Sequence, residues 1–99
     1  MIRHVVSWKF VAQDPDEKAA AFDAMADGFG GLPHVIPEIK SLWIGRDLDE
    51  TEGNSDVVLI VDYETTADLE TYLEHPEHKR VAATLRGVVT SRTAVDFEL

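Results

Sequence analysis

Apolar and polar residues alternate near both ends of the chain and recur at three- and four-residue intervals in two stretches between. In IRHVVSWKF, Ile2, His4, Val6, Trp8 and Phe10 share one side of an extended strand, and Arg3, Val5, Ser7 and Lys9 share the other. The first set is the side expected to bury. DPDEKAAAFDAMADGF then carries the marks of a helix start: Asp14 as N-cap, Pro15 at the first helical position and Glu17 at the reciprocal capping place. The apolar stripe of this helix is Phe22, Met25, Ala26 and Phe29; it weakens at Gly28, Gly30 and Gly31, and Pro33 stops it. IKSLWIG and VVLIVDY predict a second and a third strand, separated by the acidic, turn-rich RDLDETEGNSD. TTADLETYLEH predicts a second helix with Leu69, Tyr72 and Leu73 on one face, which Pro76 ends or redirects, and a further turn or two in PEHKRVAATLRG. The chain closes with SRTAVDFEL, where Thr93, Val95, Phe97 and Leu99 oppose Arg92, Ala94, Asp96 and Glu98 on a last strand.

Strand, helix, strand, strand, helix, strand is the order of an α+β, ferredoxin-like βαββαβ fold: a four-stranded antiparallel sheet with both helices on one face. The other face is not polar. In the third strand Val57, Leu59 and Val61 point one way and Val58 and Ile60 the other. A lone two-layer domain would leave Val58, Ile60, Val95, Phe97 and either Trp43 or Ile44 facing water, a patch that marks an interaction surface. The expected partner is a second copy of the chain, forming a homodimer through the sheet face.

At 99 residues the sequence makes one domain, 1–99. Its 19 acidic against 9 basic residues give a formal charge of -10, which repels phosphate backbones and anionic lipid and argues against nucleic acid or membrane partners. With no cysteine, disulfides, thiolate nucleophiles and cysteine-ligated metals drop out. The opening segment lacks the apolar core of a signal peptide, and no apolar run approaches the ~20 residues of a membrane span, so the expected location is cytoplasmic. The acidic stretch fails as a calcium loop: Gly53 falls one place late and Val58 stands where the closing glutamate belongs.

The candidate chemistry is in YLEHPEHKRV. His78, Val81, Ala82 and Leu85 follow the spacing of one helical face, so His78 points inward; Tyr72 shares the buried face of Leu69 and Leu73, and His4 is in phase with Val6 and Trp8. An imidazole titrating near neutrality beside a phenol can move a proton and stabilise an enolate. The alternative is structural, with Tyr72 and His78 satisfying each other or the backbone at a helix junction. His75 and His78 lie three apart, but the proline after His75 pushes it from helical geometry and no third ligand is evident unless His4 supplies one, so no metal site is assigned. Arg92 and Asp96 fall on one strand face and could pair, or Arg92 could hold a substrate anion.

RHVVSWKF, IPEIKSLWIGRD, YLEHPEHKRV and AVDFEL, in that order, resemble the stress-responsive A/B barrel (Dabb) family over nearly the whole chain. The resemblance implies a dimeric α+β barrel. The chain is also similar to the plant olivetolic acid cyclases of this family, which implies cofactor-independent, metal-free intramolecular aldol closure of a polyketide. On that likeness Tyr72 and His78 are the acid–base pair. His4, Val6, Trp8, Phe22, Lys40, Leu42, Leu59, Leu73 and Val81 fall on pocket positions for a small hydrophobic or polyketide-like ligand. Val57, Ala26 and Arg92 depart from the cyclase pattern; Arg92 stands where an apolar residue of the last strand is expected. The competing expectation is a non-catalytic, stress-responsive structural barrel whose interior Trp8, Phe22 and Phe29 fill.

Overall fold

A computed structural model describes residues 1–99. Strand β1 (Ile2–Phe10) leads into helix α1 (Pro15–Gly30), a short 3-10 turn (Leu32–His34), strands β2 (Ser41–Arg46) and β3 (Val57–Tyr63), helices α2 (Thr66–Glu74) and α3 (Pro76–Ala83), and strand β4 (Val89–Glu98). The strands form one antiparallel sheet in the order β2-β3-β1-β4, the ferredoxin-like arrangement expected from the element order.

The local signals act as their chemistry requires. The Asp14 carboxylate accepts from the backbone N–H groups of Asp16 and Glu17, which satisfies two donors that the first turn of α1 leaves without partners. Glu17 makes no return bond to complete a capping box. Only Met25 and Phe29 of α1 are fully buried, and Phe22 and Ala26 lie at the edge of that contact. Gly28 brings α1 close to α3: a Cβ there would lie 3.1 Å from a Val81 methyl. The core is the layer between sheet and helices, to which β1 contributes Val6, Trp8 and Phe10 and β3 contributes Val57, Leu59, Val61 and Tyr63.

Two strand starts differ from expectation. β2 begins at Ser41, two residues late, because Ile36 and Ile39 bury within the connection before it. β4 begins at Val89, earlier than the alternation suggests, because Ser91 and Arg92 together oppose Trp8 and the alternation skips a beat there. This β-bulge holds Ser91 at φ 55°, a left-handed conformation that a residue with a Cβ adopts at a cost.

The helix-free face of the sheet is apolar in one continuous row. Trp43 pairs with Ile60, Ile60 with Val5, and Val5 with Val95, so four apolar side chains cross all four strands. Trp43, not Ile44, takes this side, and it, Val95 and Phe97 are exposed. The adjoining row holds the one buried carboxylate, Asp62, which receives two hydrogen bonds from the Arg3 guanidinium at 2.8 and 2.9 Å and a third from Ser41. These donors hold the Asp62 carboxyl below the usual carboxylate range. The same guanidinium lies 5.5 Å from the Trp43 ring centroid.

Candidate active site

Tyr72 and His78 are six positions apart, which in an unbroken α-helix would place them about 120° apart around the axis. They meet because Pro76 breaks the helix between them. His75 takes an extended conformation (φ -65°, ψ 134°) and becomes the N-cap of α3, its Nδ1 accepting from the Glu77 N–H, with Pro76 at the first helical position. Pro76 has no N–H for the Tyr72 carbonyl, which accepts from His75 instead. Because the Glu77 N–H is engaged by His75, it does not bond the Leu73 carbonyl four residues back. That carbonyl accepts from His78 Nδ1 at 3.2 Å. The helix break therefore orients the imidazole.

A carbonyl oxygen only accepts, so Nδ1 carries the proton and neutral His78 keeps its lone pair on Nε2. Burial pushes the His78 pKa below its ordinary value, and the Arg92 guanidinium acts in the same direction, against the opposing bond to Leu73. The imidazole ring lies 4.3 Å from the Tyr72 ring, centroid to centroid. Tyr72 is fully buried, and burial pushes its phenol above the ordinary range, so it stays protonated. Its hydroxyl makes no hydrogen bond within the protein, and neither does that of Tyr63, whose ring is 5.3 Å away. Tyr72 and His78 thus do not satisfy each other: His78 bonds the backbone at the helix junction, as the structural alternative allowed, and the Tyr72 hydroxyl has no partner.

His4 completes the group from β1, its ring 6.3 Å from that of Tyr72. Its Nδ1 donates to the carboxylate of Asp96, the residue directly opposite on β4. Asp96 therefore pairs with His4 and not with Arg92, correcting the pairing suggested by the spacing on the last strand. Arg92 has no carboxylate partner.

These groups face a cavity of about 400 Å³ between the sheet and the α2–α3 arm, large enough for a small organic molecule. Of the residues expected around the ligand, His4, Val6, Trp8, Leu59, Tyr72, Leu73, His78 and Arg92 line it. Four do not. Val81 is buried against α1, Phe22 and Leu42 pack at the margin of the core, and the Lys40 ammonium lies in solvent 3.6 Å from Glu64. Trp8 and Phe29 stack at 6.2 Å and form one wall without filling the space. The lining that the sequence did not single out is Phe29, Ala82, Leu85, Arg86, Val89, Thr90 and Ser91. Its advance signals were the phase of Ala82 and Leu85 with His78 and the place of Phe29 on the apolar stripe of α1. No group of three or more His, Asp or Glu side chains is placed to hold a metal ion, and His75 is occupied as a helix cap. No helix is long and apolar enough to cross a membrane.

Among solved structures, a dimeric ferredoxin-like protein of unknown function from Bacteroides fragilis is 25% identical with a TM-score of 0.89, covering 99% of this chain and 95% of that one. A dimeric ferredoxin-like protein of unknown function from Thermobifida fusca is 29% identical with a TM-score of 0.79, covering 99% and 90%. The hydroxynitrile lyase of Passiflora edulis, 17% identical with a TM-score of 0.79 and coverage of 97% and 90%, shares the fold. No curated protein matches the sequence. The family description that does match, over residues 2–99, is the Stress responsive A/B Barrel Domain, and the chain belongs to that family.

Proposed function

We propose that the protein is a homodimeric acid–base enzyme that closes a small, largely apolar keto compound on itself by an intramolecular aldol reaction, with Tyr72 and His78 as the catalytic pair. The observation that carries this reading is the juxtaposition, in one open cavity, of a tautomer-fixed imidazole and a buried phenol whose hydroxyl makes no bond to protein. His78 Nε2 takes a proton from the carbon next to a carbonyl, and the Tyr72 hydroxyl donates to the oxygen that becomes an enolate. The enolate carbon then bonds to a second carbonyl carbon of the same molecule. The resulting alkoxide recovers the proton from the His78 imidazolium, so no atoms are gained or lost. His4, held by Asp96, forms the polar wall beside Tyr72. The structural alternative, an interior filled by its own aromatic side chains, is disfavoured by the cavity. Purified protein given a reactive poly-β-keto compound should speed formation of the cyclised product, and a rate equal to that in buffer rejects the assignment.

The pH profile is a second test. His78 acts as a base when neutral, and its pKa is depressed from the imidazole value of about 6.5. The rate should rise through that depressed pKa, level off by neutrality and stay level above it, since Tyr72 holds its proton beyond the ordinary phenol range. Stability carries the same sign. Below about pH 6.5 the unfolded chain takes up the His78 proton before the folded one, so this contribution is complete above that pH and declines as pH falls toward the folded pKa. An acid limb centred above pH 7 would exclude a depressed His78 as the base.

The homodimer is supported by the apolar row Trp43, Ile60, Val5 and Val95 and by the dimeric state of the Bacteroides fragilis and Thermobifida fusca structures. Val95 is well exposed, so Val95→Asp should leave the monomer folded while placing a charge in the apolar row. Sedimentation should then report monomer where the parent protein reports dimer; an unchanged dimer would move the interface elsewhere.

A further inference from the structure

Six of the nine lysines and arginines have a carboxylate within 4.0 Å: Arg3, Lys18, Lys40, Arg46, Lys79 and Arg80. In a chain with 19 acidic residues such pairing is the expected state. Three cations lack a partner, and two of these, Arg86 and Arg92, line the Tyr72–His78 cavity. Each is put there by an unusual piece of backbone. Arg86 precedes Gly87, whose φ of 75° turns the chain from the end of α3 back toward β4. Arg92 is one of the two bulge residues opposite Trp8, beside the strained Ser91, and both bulge residues face the cavity. A bulge that re-aims a side chain, held at the expense of a left-handed serine, is a feature that recurs beside functional sites.

We propose that Arg86 and Arg92 are the specificity-determining residues of this cavity and that they select a ligand with an apolar body and a terminal oxyanion, a carboxylate or a phosphate. The inference rests on reading the cavity as the substrate site and names the class of substrate. Guanidinium groups match both oxyanions with paired, charge-assisted hydrogen bonds. The wall beyond them, Val6, Trp8, Phe29, Leu59, Leu73, Leu85 and Val89, is apolar. An acidic headgroup would thus be anchored at the arginines with the remainder of the molecule against this wall, alongside the catalytic pair. Arg92 also acts to lower the His78 pKa, after the larger effect of burial. A bound anion would offset that field and make the base stronger once substrate is in place.

The test is calorimetric titration with three probes of equal chain length: decanoate, decyl phosphate and decanol. At least one anion should bind about tenfold or more tightly than decanol. The Arg86→Gln/Arg92→Gln variant should lose that preference while still binding decanol. Arg80→Gln, which removes an exposed arginine paired with Glu77 outside the cavity, should keep it. Which anion wins identifies the headgroup. Decanol binding as tightly as both anions, no binding by any probe, or a preference that survives in the double variant would each overturn the proposal. His78→Ala should retain the anion preference, so an inactive protein that still selects the anion refutes the aldol reaction alone, and an active protein without the preference refutes only the arginine assignment.

Discussion

His78→Ala should reduce the rate of cyclisation by about 10²- to 10⁴-fold, the range that a positioned general base supplies, without unfolding the protein. The fold should tolerate the change because His78 is only half-buried and its one hydrogen bond is to the Leu73 carbonyl at the end of α2. Tyr72→Phe should lower the same rate by about 10²-fold or more, since it removes the donor proposed for the developing enolate. It should leave stability unchanged or slightly raised. The lost hydroxyl makes no hydrogen bond within the protein, so its removal deletes a buried polar group without orphaning a partner. These opposite effects on rate and stability separate a catalytic tyrosine from a structural one. Full activity in a folded Tyr72→Phe or His78→Ala protein, with circular dichroism matching the parent, would end the catalytic assignment.

Phe29→Ala should be the most damaging core substitution, lowering stability by about 3–5 kcal/mol. Helix α1 is 16 residues long, yet it fixes itself to the core with only two fully buried side chains, Met25 and Phe29. Phe29 is also the surface on which Trp8 stacks and one wall of the cavity. Truncating it removes the stacking and merges a new void with the existing space, so the surrounding side chains have little to collapse onto. For a chain of this size the thermal midpoint should fall by more than about 10 °C, and the urea midpoint should fall with it. A change below about 1 kcal/mol would mean that α1 is held by the Gly28–Val81 approach and not by its aromatic anchor.

The fold was legible in the sequence because its signals are local. Alternation fixes which side of a strand each residue takes, so β1 could be assigned its buried face, His4 included, without knowledge of its neighbours. The same parity showed that β3 is apolar on both faces, and with it that the sheet has a second surface to cover. Asp14 with Pro15 sets the start of α1, and Pro76 marks the break after α2, each from within a few residues. The inward aim of both Tyr72 and His78 was likewise contained in the periodicity on either side of the proline.

Relations between elements were decided only by tertiary structure. The partnership of His4 with Asp96 depends on the register of β1 against β4, which neither strand encodes alone; within β4, spacing favoured Arg92 as the partner instead. Tyr63 lies beside Tyr72 because β3 ends beneath α2. Phe22, Leu42 and Val81 have the apolar character of a pocket wall, but helix crossing and strand order direct them to other parts of the interior, and Lys40 ends in solvent. Arg86 and Ser91 look like ordinary surface residues in the sequence, and a left-handed glycine and a bulge bring them to the cavity. A residue's own neighbours in the chain determine the face it presents, through steric and hydrogen-bonding rules that reach only one turn or one pleat. What that face meets is set by packing among segments far apart in sequence, where the lowest free energy belongs to the assembly as a whole.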